Sequence, residues 1–249
     1  MPTDSSPSVR LRRAAALACL ALALPLAASC GSKATAKAAS TQNAAAAPAE
    51  SARSTASPDA PAKPAAASAP AVATVGQPAP DFELTDTAGG KHKLSDYTAA
   101  GKLVVLEWFN PDCPIAKAYH VPQNQMDALA TKFKDKNIVW LAVNSGAEGK
   151  QGAGLDRNKR AVDEYGIHYP VLLDMPGEVG KRYAAKTTPH MYVIDTAGVL
   201  RYAGAIDNGD PNTKGDVNYV EQALNEVLAG KPVTTATSTP FGCSVKYGS

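Results

Sequence analysis

Cys113 is the residue best placed in this chain to do chemistry. It follows the run Leu103-Val104-Val105-Leu106-Glu107-Trp108-Phe109 and the segment Asn110-Pro111-Asp112, and it precedes Pro114-Ile115-Ala116-Lys117. The apolar, β-branched run predicts a buried strand. Asn-Pro-Asp predicts a turn, and the residues after Cys113 predict a helix. A cysteine at a helix N-terminus meets unsatisfied N–H groups and the positive end of the helix dipole. Such surroundings lower a thiol's pKa and supply a thiolate, the form that acts as nucleophile. A structural cysteine would more often fall inside the strand. Pro114 suits the first helical turn, where its missing N–H costs nothing. Glu107 lies six residues before the cysteine, within the apolar run. An acid there is costly unless it is paired or employed. It is either an edge-facing carboxylate or a buried one able to take or give a proton.

The chain has four cysteines, and Cys19, Cys30, Cys113 and Cys243 form neither a zinc spacing nor a dense disulfide framework. Cys243 lies in Thr239-Pro240-Phe241-Gly242-Cys243-Ser244-Val245-Lys246-Tyr247, after a Thr/Ser-rich link. Aromatics flanking Gly-Cys predict that this tail docks. A docked tail could return Cys243 to Cys113 as a resolving thiol that attacks a sulfenic acid or mixed disulfide. A permanent disulfide and an unpaired tail thiol are the alternatives. His120 lies two helical turns beyond Cys113 and reads as a surface or packing histidine. His190 follows Pro189, and a cluster of Cys113, His190 and Cys243 would suit a soft metal such as copper(I) or zinc. Asp207-Asn208-Gly209-Asp210 through Asp216 has a calcium-like composition without the EF-hand register, and so reads as a polar connecting loop. Trp108, Trp140 and Tyr192 read as core or site-wall aromatics.

The elements that must hold these residues begin near Gly76. Residues 76–96 predict a short strand, a Gly-Gly turn and a second strand, with Lys93-Leu94-Ser95-Asp96 in the latter. The strand at 103–109 is followed by a helix from about 113 to 134, kinked by Pro122. Met126, Leu129 and Phe133 form its core-facing stripe. A strand at 138–144, a helix at 155–165, a strand at 171–173 and a helix at 177–185 come next. A hairpin at 191–203 and a helix at 219–229 close the series. Strands alternating with helices and ending in a hairpin predict an α/β fold, a mixed sheet with helices on both faces.

The first third of the chain reads differently. Arg10, Arg12 and Arg13 precede an apolar run, Ala14 to Leu26, that is short for a membrane span. Leu26-Ala27-Ala28-Ser29-Cys30 resembles a bacterial lipobox, with Leu26 one place further out than in the commonest form. Residues 1–29 are therefore expected to be a lipoprotein signal peptide and Cys30 the lipidated residue. The resemblance places the protein in the cell envelope, facing the periplasm or exterior, where disulfides persist. Residues 30–75 are rich in Ala, Pro and Ser, lack apolar periodicity and read as a disordered tether. The globular domain is expected at 76–231 and the Cys243 tail at 232–249. Lysines and arginines number 25 against 23 acidic residues, with no basic run interleaved with aromatics, which argues against a nucleic-acid partner.

A strand that delivers a cysteine to a helix, within this order of elements, resembles the thioredoxin superfamily. The opening Gly76-Gln77-Pro78-Ala79-Pro80-Asp81-Phe82-Glu83-Leu84, then Asp86 to Gly90, resembles its redoxin branch, the alkyl hydroperoxide reductase and thiol-specific antioxidant (peroxiredoxin-like) proteins. It also resembles the membrane-tethered thioredoxins of cytochrome maturation. The resemblance spans roughly Gly76 to Lys231 and implies a thioredoxin-like fold with an N-terminal β-hairpin extension. It makes Cys113 the attacking cysteine. Pro189, in Lys186-Thr187-Thr188-Pro189-His190, becomes the cis-proline whose loop receives substrate backbone, with Thr188 and Pro114 beside it. Glu107 becomes the buried carboxylate that relays protons beneath the site. Two departures stand out: Ala116 replaces the second cysteine of thioredoxins, and Asn110 replaces the Thr or Ser that peroxiredoxins place three residues before theirs. The peroxiredoxin arginine is not identifiable. The expectation is an extracytoplasmic thiol oxidoreductase acting on disulfides or peroxides, needing no cofactor and recycled by an external thiol reductant. A copper-delivery protein and a redox-inactive interaction domain are the alternatives.

Overall fold

The structure is a computed structural model that describes residues 72–210 and 213–249. The expected signal peptide, the expected lipidation of Cys30 and most of the expected tether lie outside the described residues. In chain order the elements are β1 (Glu83–Asp86), β2 (Lys91–Lys93), α1 (Leu94–Ala99), β3 (Leu103–Trp108), α2 (Pro114–His120) and α3 (Gln125–Phe133). Then come β4 (Ile138–Asn144), α4 (Leu155–Tyr165), β5 (Val171–Leu173), α5 (Glu178–Arg182), β6 (Thr187–Thr188), β7 (His190–Ile194), β8 (Leu200–Gly204), α6 (Tyr219–Leu228) and β9 (Cys243–Ser244).

Seven strands form one mixed sheet in the order β2-β1-β5-β4-β3-β7-β8. β3 runs parallel to β4 and antiparallel to β7, and β5 continues parallel beyond β4. The β1–β2 hairpin joins this sheet through the antiparallel β1–β5 pair. All six residues of β3 are buried, because both faces of the sheet are covered. Strand alternation divides them. Leu103 and Val105, with Phe109 just beyond, face a layer that includes Tyr119, Met126, Leu129, Phe133 and α6 residues. Val104, Leu106 and Trp108 face the opposite layer, which includes Leu94, Val179, Tyr183 and Tyr192. Among the described residues no helix is long and apolar enough to cross a membrane.

Two elements depart from the sequence expectation. Pro122 ends the helix instead of kinking it: α2 stops at His120, Val121 is extended at φ −139° and ψ 120°, and the Val121–Pro122 peptide is cis. A proline lacks the N–H for the ladder and excludes helical geometry at the residue before it. Asn124, in the left-handed region at φ 49°, then starts α3. Leu94 to Asp96 belong to a helix and not to a strand. The Asp81 carboxylate accepts from the Ser95 N–H at 2.9 Å, a cap supplied from fourteen residues away that buries Leu94.

Candidate active site

β3 delivers Cys113 through an ordered turn. The Asn110 side chain accepts from the Asp112 N–H (2.9 Å) and donates to the Gln151 carbonyl (3.0 Å). Cys113 is the N-cap of α2, and its sulfur accepts from the Ala116 N–H at 3.5 Å, where a serine or threonine oxygen would ordinarily act. Pro114 takes the first helical position and is exposed. Cys113 is 1% exposed, and its thiol donates to the Thr188 carbonyl at 3.1 Å. The Thr188–Pro189 peptide is cis.

The tail closes over this arrangement. β9 pairs antiparallel with β6, setting Cys243 opposite Thr188 and Ser244 opposite Thr187. Gly242 lies at φ +141°, and a Cβ there would sit 2.2 Å from the Thr188 carbonyl oxygen, so only glycine fits so close to the cis-proline loop. Phe241 packs near Tyr119, ring centroids 6.3 Å apart. On the other side of Cys243, the Val245 N–H donates to the Lys186 carbonyl (3.1 Å) and the Tyr247 hydroxyl to the Ala185 carbonyl (2.9 Å). Both thiols are unoxidised, and each shifts the other's titration.

The two sulfurs are electrostatically unequal. Burial pushes the Cys113 thiol up, but the hydrogen bond from the Ala116 N–H, together with interactions with Cys243 and Thr188, brings it below the ordinary range. Cys243 is pushed up to about 11 by burial and by its interaction with Cys113, including repulsion from the charge there. Cys113 is therefore the better nucleophile, and Cys243 the proton-bearing partner.

Glu107 is fully buried on the same side of the sheet as Val105 and Phe109. One carboxylate oxygen lies 2.8 Å from His120 Nε2, and the other accepts from the Tyr169 hydroxyl at 2.8 Å. The Tyr169 phenol is held well above its ordinary range by burial and by the Glu107 charge. His120 is not the surface or simple packing residue expected from sequence. Its side chain is completely buried between Phe109 and Tyr165, and among the described residues its Nδ1 has no partner. A histidine two turns along one helix face from a reactive cysteine, with an acid on the strand beneath, was the available signal. Nothing in the sequence signalled Tyr169.

His190 does not join Cys113. Strand alternation turns it to the opposite face of β7, where its ring packs on Tyr192 (centroids 4.5 Å apart) and burial pushes its pKa down to about 4. Among the described residues no three His, Cys, Asp or Glu side chains gather to hold a metal, so the cluster of Cys113, His190 and Cys243 does not form. Asp207 organises its own loop, accepting from the Tyr119 hydroxyl (2.9 Å), the Gly209 N–H (2.9 Å) and the Gly215 N–H (3.2 Å). Arg157 is committed to Asp112, Glu164, Tyr165 and the Pro111 carbonyl; among the described residues no arginine hydrogen-bonds Cys113.

Comparison with known proteins agrees with this geometry. The chain is 32% identical over 127 residues to the thiol-disulfide oxidoreductase ResA of Geobacillus kaustophilus (strain HTA426), covering 51% of this chain and 67% of that protein. It is 30% identical over 146 residues to a Synechocystis sp. protein assigned by name to the peroxiredoxins, covering 53% and 68%. In structure it resembles an uncharacterized conserved protein from Geobacillus kaustophilus, with TM-score 0.64 and 28% identity over 70% of this chain and 93% of the other. The family model described as AhpC/TSA matches residues 75–203, from the entry to β1 into β8 and including Cys113, Thr188 and Pro189, while Cys243 lies beyond it. With its thioredoxin-like fold and its cysteine at the end of β3, the chain belongs to the AhpC/TSA family and is a thiol-based oxidoreductase.

Proposed function

We propose that the protein is an extracytoplasmic thiol–disulfide oxidoreductase with Cys113 as the attacking cysteine and Cys243 as the resolving one. The observation that carries this reading is the pairing of Cys243 opposite Thr188, the residue whose carbonyl accepts from the Cys113 thiol. The pair thereby does the work of the two helix cysteines of a thioredoxin, although Ala116 stands where the second would be.

The Cys113 thiolate attacks a substrate disulfide, forming a mixed disulfide and releasing one substrate thiolate, which takes up a proton. Cys243 then loses its proton and attacks the Cys113 sulfur. A Cys113–Cys243 disulfide forms, and the second substrate thiol leaves. The substrate gains two electrons and two protons, and an external dithiol reductant returns the pair to the reduced state. Thr188 and Pro189 present the loop along which substrate backbone lies, with Pro114 at the rim. Glu107, held by His120 and Tyr169, is the proton-exchanging group beneath the site. The location rests on Arg10, Arg12, Arg13 and the apolar run before Cys30, with Cys30 as a lipid anchor to the membrane.

Similarity to the Synechocystis protein supports a second reading, in which Cys113 is oxidised by a hydroperoxide to a sulfenic acid that Cys243 condenses to the same disulfide with loss of water. The residue at Asn110 and the engagement of Arg157 elsewhere favour the disulfide reading. Mass spectrometry of the chain digested without reductant tests the shared step. A Cys113–Cys243 bridge formed by a model disulfide and opened by dithiothreitol is the expected result. A Cys113 adduct that persists beside an unmodified Cys243 would overturn the resolving role. Faster bridge formation with hydrogen peroxide than with the disulfide would favour the peroxidase.

A further inference from the structure

The backbone edge beside the cis-proline is already occupied by this chain's own tail. β9 fills the β6 edge as an extended peptide would, and it carries a cysteine to the position facing Cys113. Gly242 packs so closely on the Thr188 carbonyl that no second strand fits between them. From this juxtaposition we propose that residues 241–247 act as a built-in competitor strand. A cysteine-bearing extended peptide reaches Cys113 only by displacing β9, and the return of β9 both resolves the mixed disulfide and expels the reduced peptide. The proposal rests on the exchange between Cys113 and Cys243 argued above, and adds the substrate class and the means of its release.

The tail is held in two separate sections, which is what such an exchange requires. The inner section is clipped to the domain. The Ala203 N–H donates to the Ala236 carbonyl at 3.1 Å, the Ala205 N–H donates to Ser238 Oγ at 2.9 Å, and Thr234 is bound to Glu226 through both its N–H and its hydroxyl. Gly204 leaves no room for a Cβ beside Ser238, 2.3 Å from its hydroxyl oxygen, so the clip lies directly on β8. The outer section, 241–247, is held by separate contacts to Tyr119, Lys186, Ala185 and the Ala147 N–H. It can therefore leave while the clip stays. Cys243 lies five residues beyond Ser238, so once released it remains within roughly 18 Å of the clip. A tether of that length keeps the resolving thiol at an effective concentration on the order of millimolar.

Strand competition also explains why the substrate strand leaves. Attack by Cys243 on the Cys113 sulfur brings β9 back to β6, and that edge holds one strand at a time. Two electrons pass from the Cys113–Cys243 pair to the peptide disulfide, and the released peptide thiol takes the proton that Cys243 gives up.

The test uses the full chain and two probes that release the same coloured thiol, thionitrobenzoate. One is an extended decapeptide whose single cysteine is disulfide-bonded to it; the other is the small symmetric disulfide, dithiobis(nitrobenzoate). Tyr247→Ala weakens the outer section at a residue remote from the sulfurs, and Phe241→Ala provides a second, independent loosening. We expect the first release with the peptide to accelerate about tenfold in either variant, the factor given by 1.4 kcal/mol of lost docking. The small disulfide, which has no backbone to hold the β6 edge, also gains access when the tail loosens and reports that exposure alone. No acceleration of the peptide would show no competition and overturns the proposal, as would a thionitrobenzoate adduct on Cys113 of Cys243→Ser that unseats the tail as fully as the peptide adduct does. In Cys243→Ser the peptide adduct on Cys113 should persist, with the Val245 and Ala147 amides losing hydrogen-exchange protection. An adduct with both amides still protected would overturn strand exchange. Failure of the underlying reading looks different: the wild-type adduct would persist with no Cys113–Cys243 bridge, whatever the probe rates.

Discussion

Replacing Gly242 by alanine tests directly whether the tail is seated as described. A Cβ at this position lies 2.2 Å from the Thr188 carbonyl oxygen, 2.8 Å from its carbon and 3.3 Å from Pro189 N. All three are backbone atoms, so no side-chain rotation relieves the overlap. The backbone at φ +141° adds about 1–3 kcal/mol for a residue other than glycine, and overpacking adds about 1–3 kcal/mol more. Opposing this are the bonds from Val245 to Lys186, from Ala147 to Lys246 and from Tyr247 to Ala185, each worth about 0.5–1.5 kcal/mol. The two sides are comparable, so the substitution raises the undocked population without unfolding the sheet. At the low end, about 2 kcal/mol corresponds to roughly a 30-fold shift. Hydrogen exchange should show the Val245 and Ala147 amides opening faster by at least that factor, while the β3 amides are unchanged. Gly248→Ala is the control, since a Cβ there meets only Ala147 Cβ at 3.5 Å, and it should leave exchange within about twofold, as surface changes usually do. Wild-type exchange at Val245 in Gly242→Ala would refute the packing argument.

Other expectations follow from the two thiols and the buried acid. At neutral pH iodoacetamide should modify the tail-released Cys113 of Gly242→Ala/Cys243→Ser faster than Cys243 of Gly242→Ala/Cys113→Ser, because Cys113 keeps the Ala116 N–H that lowers its pKa after the tail has left; the reverse order would contradict the assigned nucleophile. Cys243, raised to about 11, contributes stability that is complete below its unfolded pKa of about 8.5 and is lost as pH rises toward 11. Denaturant midpoints of reduced wild type should therefore fall relative to Cys243→Ser over that window, and parallel curves would remove the linkage. His120→Phe leaves Glu107 buried with Tyr169 as its remaining donor and should cost about 3 kcal/mol in urea unfolding. Tyr169→Phe should cost about 1–3 kcal/mol, the usual penalty for one buried bond to an unsatisfied acceptor; a loss under 0.5 kcal/mol would mean that the carboxylate finds another partner.

The parts of this protein visible in its sequence are those set by local chemistry. The apolar run of β3, the cysteine after its turn, the stripe of Met126, Leu129 and Phe133, and the limits of β4 and α4 follow from periodicity and turn residues. What stayed hidden depends on contacts between distant segments. Leu94 enters a helix because Asp81 caps it from outside, and His120 is buried because Glu107 waits on β3. Tyr169 is 62 residues from the carboxylate it donates to, a separation across which no pattern operates. His190 illustrates the converse error. Proximity in sequence to Pro189 suggested a shared site, but the period-two alternation of β7 sends its ring through the sheet to the other side. The docked tail was suggested by its aromatics, whereas its antiparallel register with Thr188 appears only in the fold.

Pairing a cysteine after β3 with one near the chain's end has a thermodynamic side. A bridge between positions 113 and 243 encloses about 130 residues, among them β4, β5, β7 and β8 of the seven-stranded sheet. On the chain-entropy account such a ring removes about 5 kcal/mol of freedom from the unfolded ensemble. By linkage, the native fold then favours the bridge over the dithiol roughly several-thousand-fold more than the unfolded chain does. Oxidation state and melting temperature are thus two readings of one equilibrium. A reductant that resets this enzyme works against the cooperativity of the entire domain, and the resting, reduced protein is the less heat-resistant of the two forms.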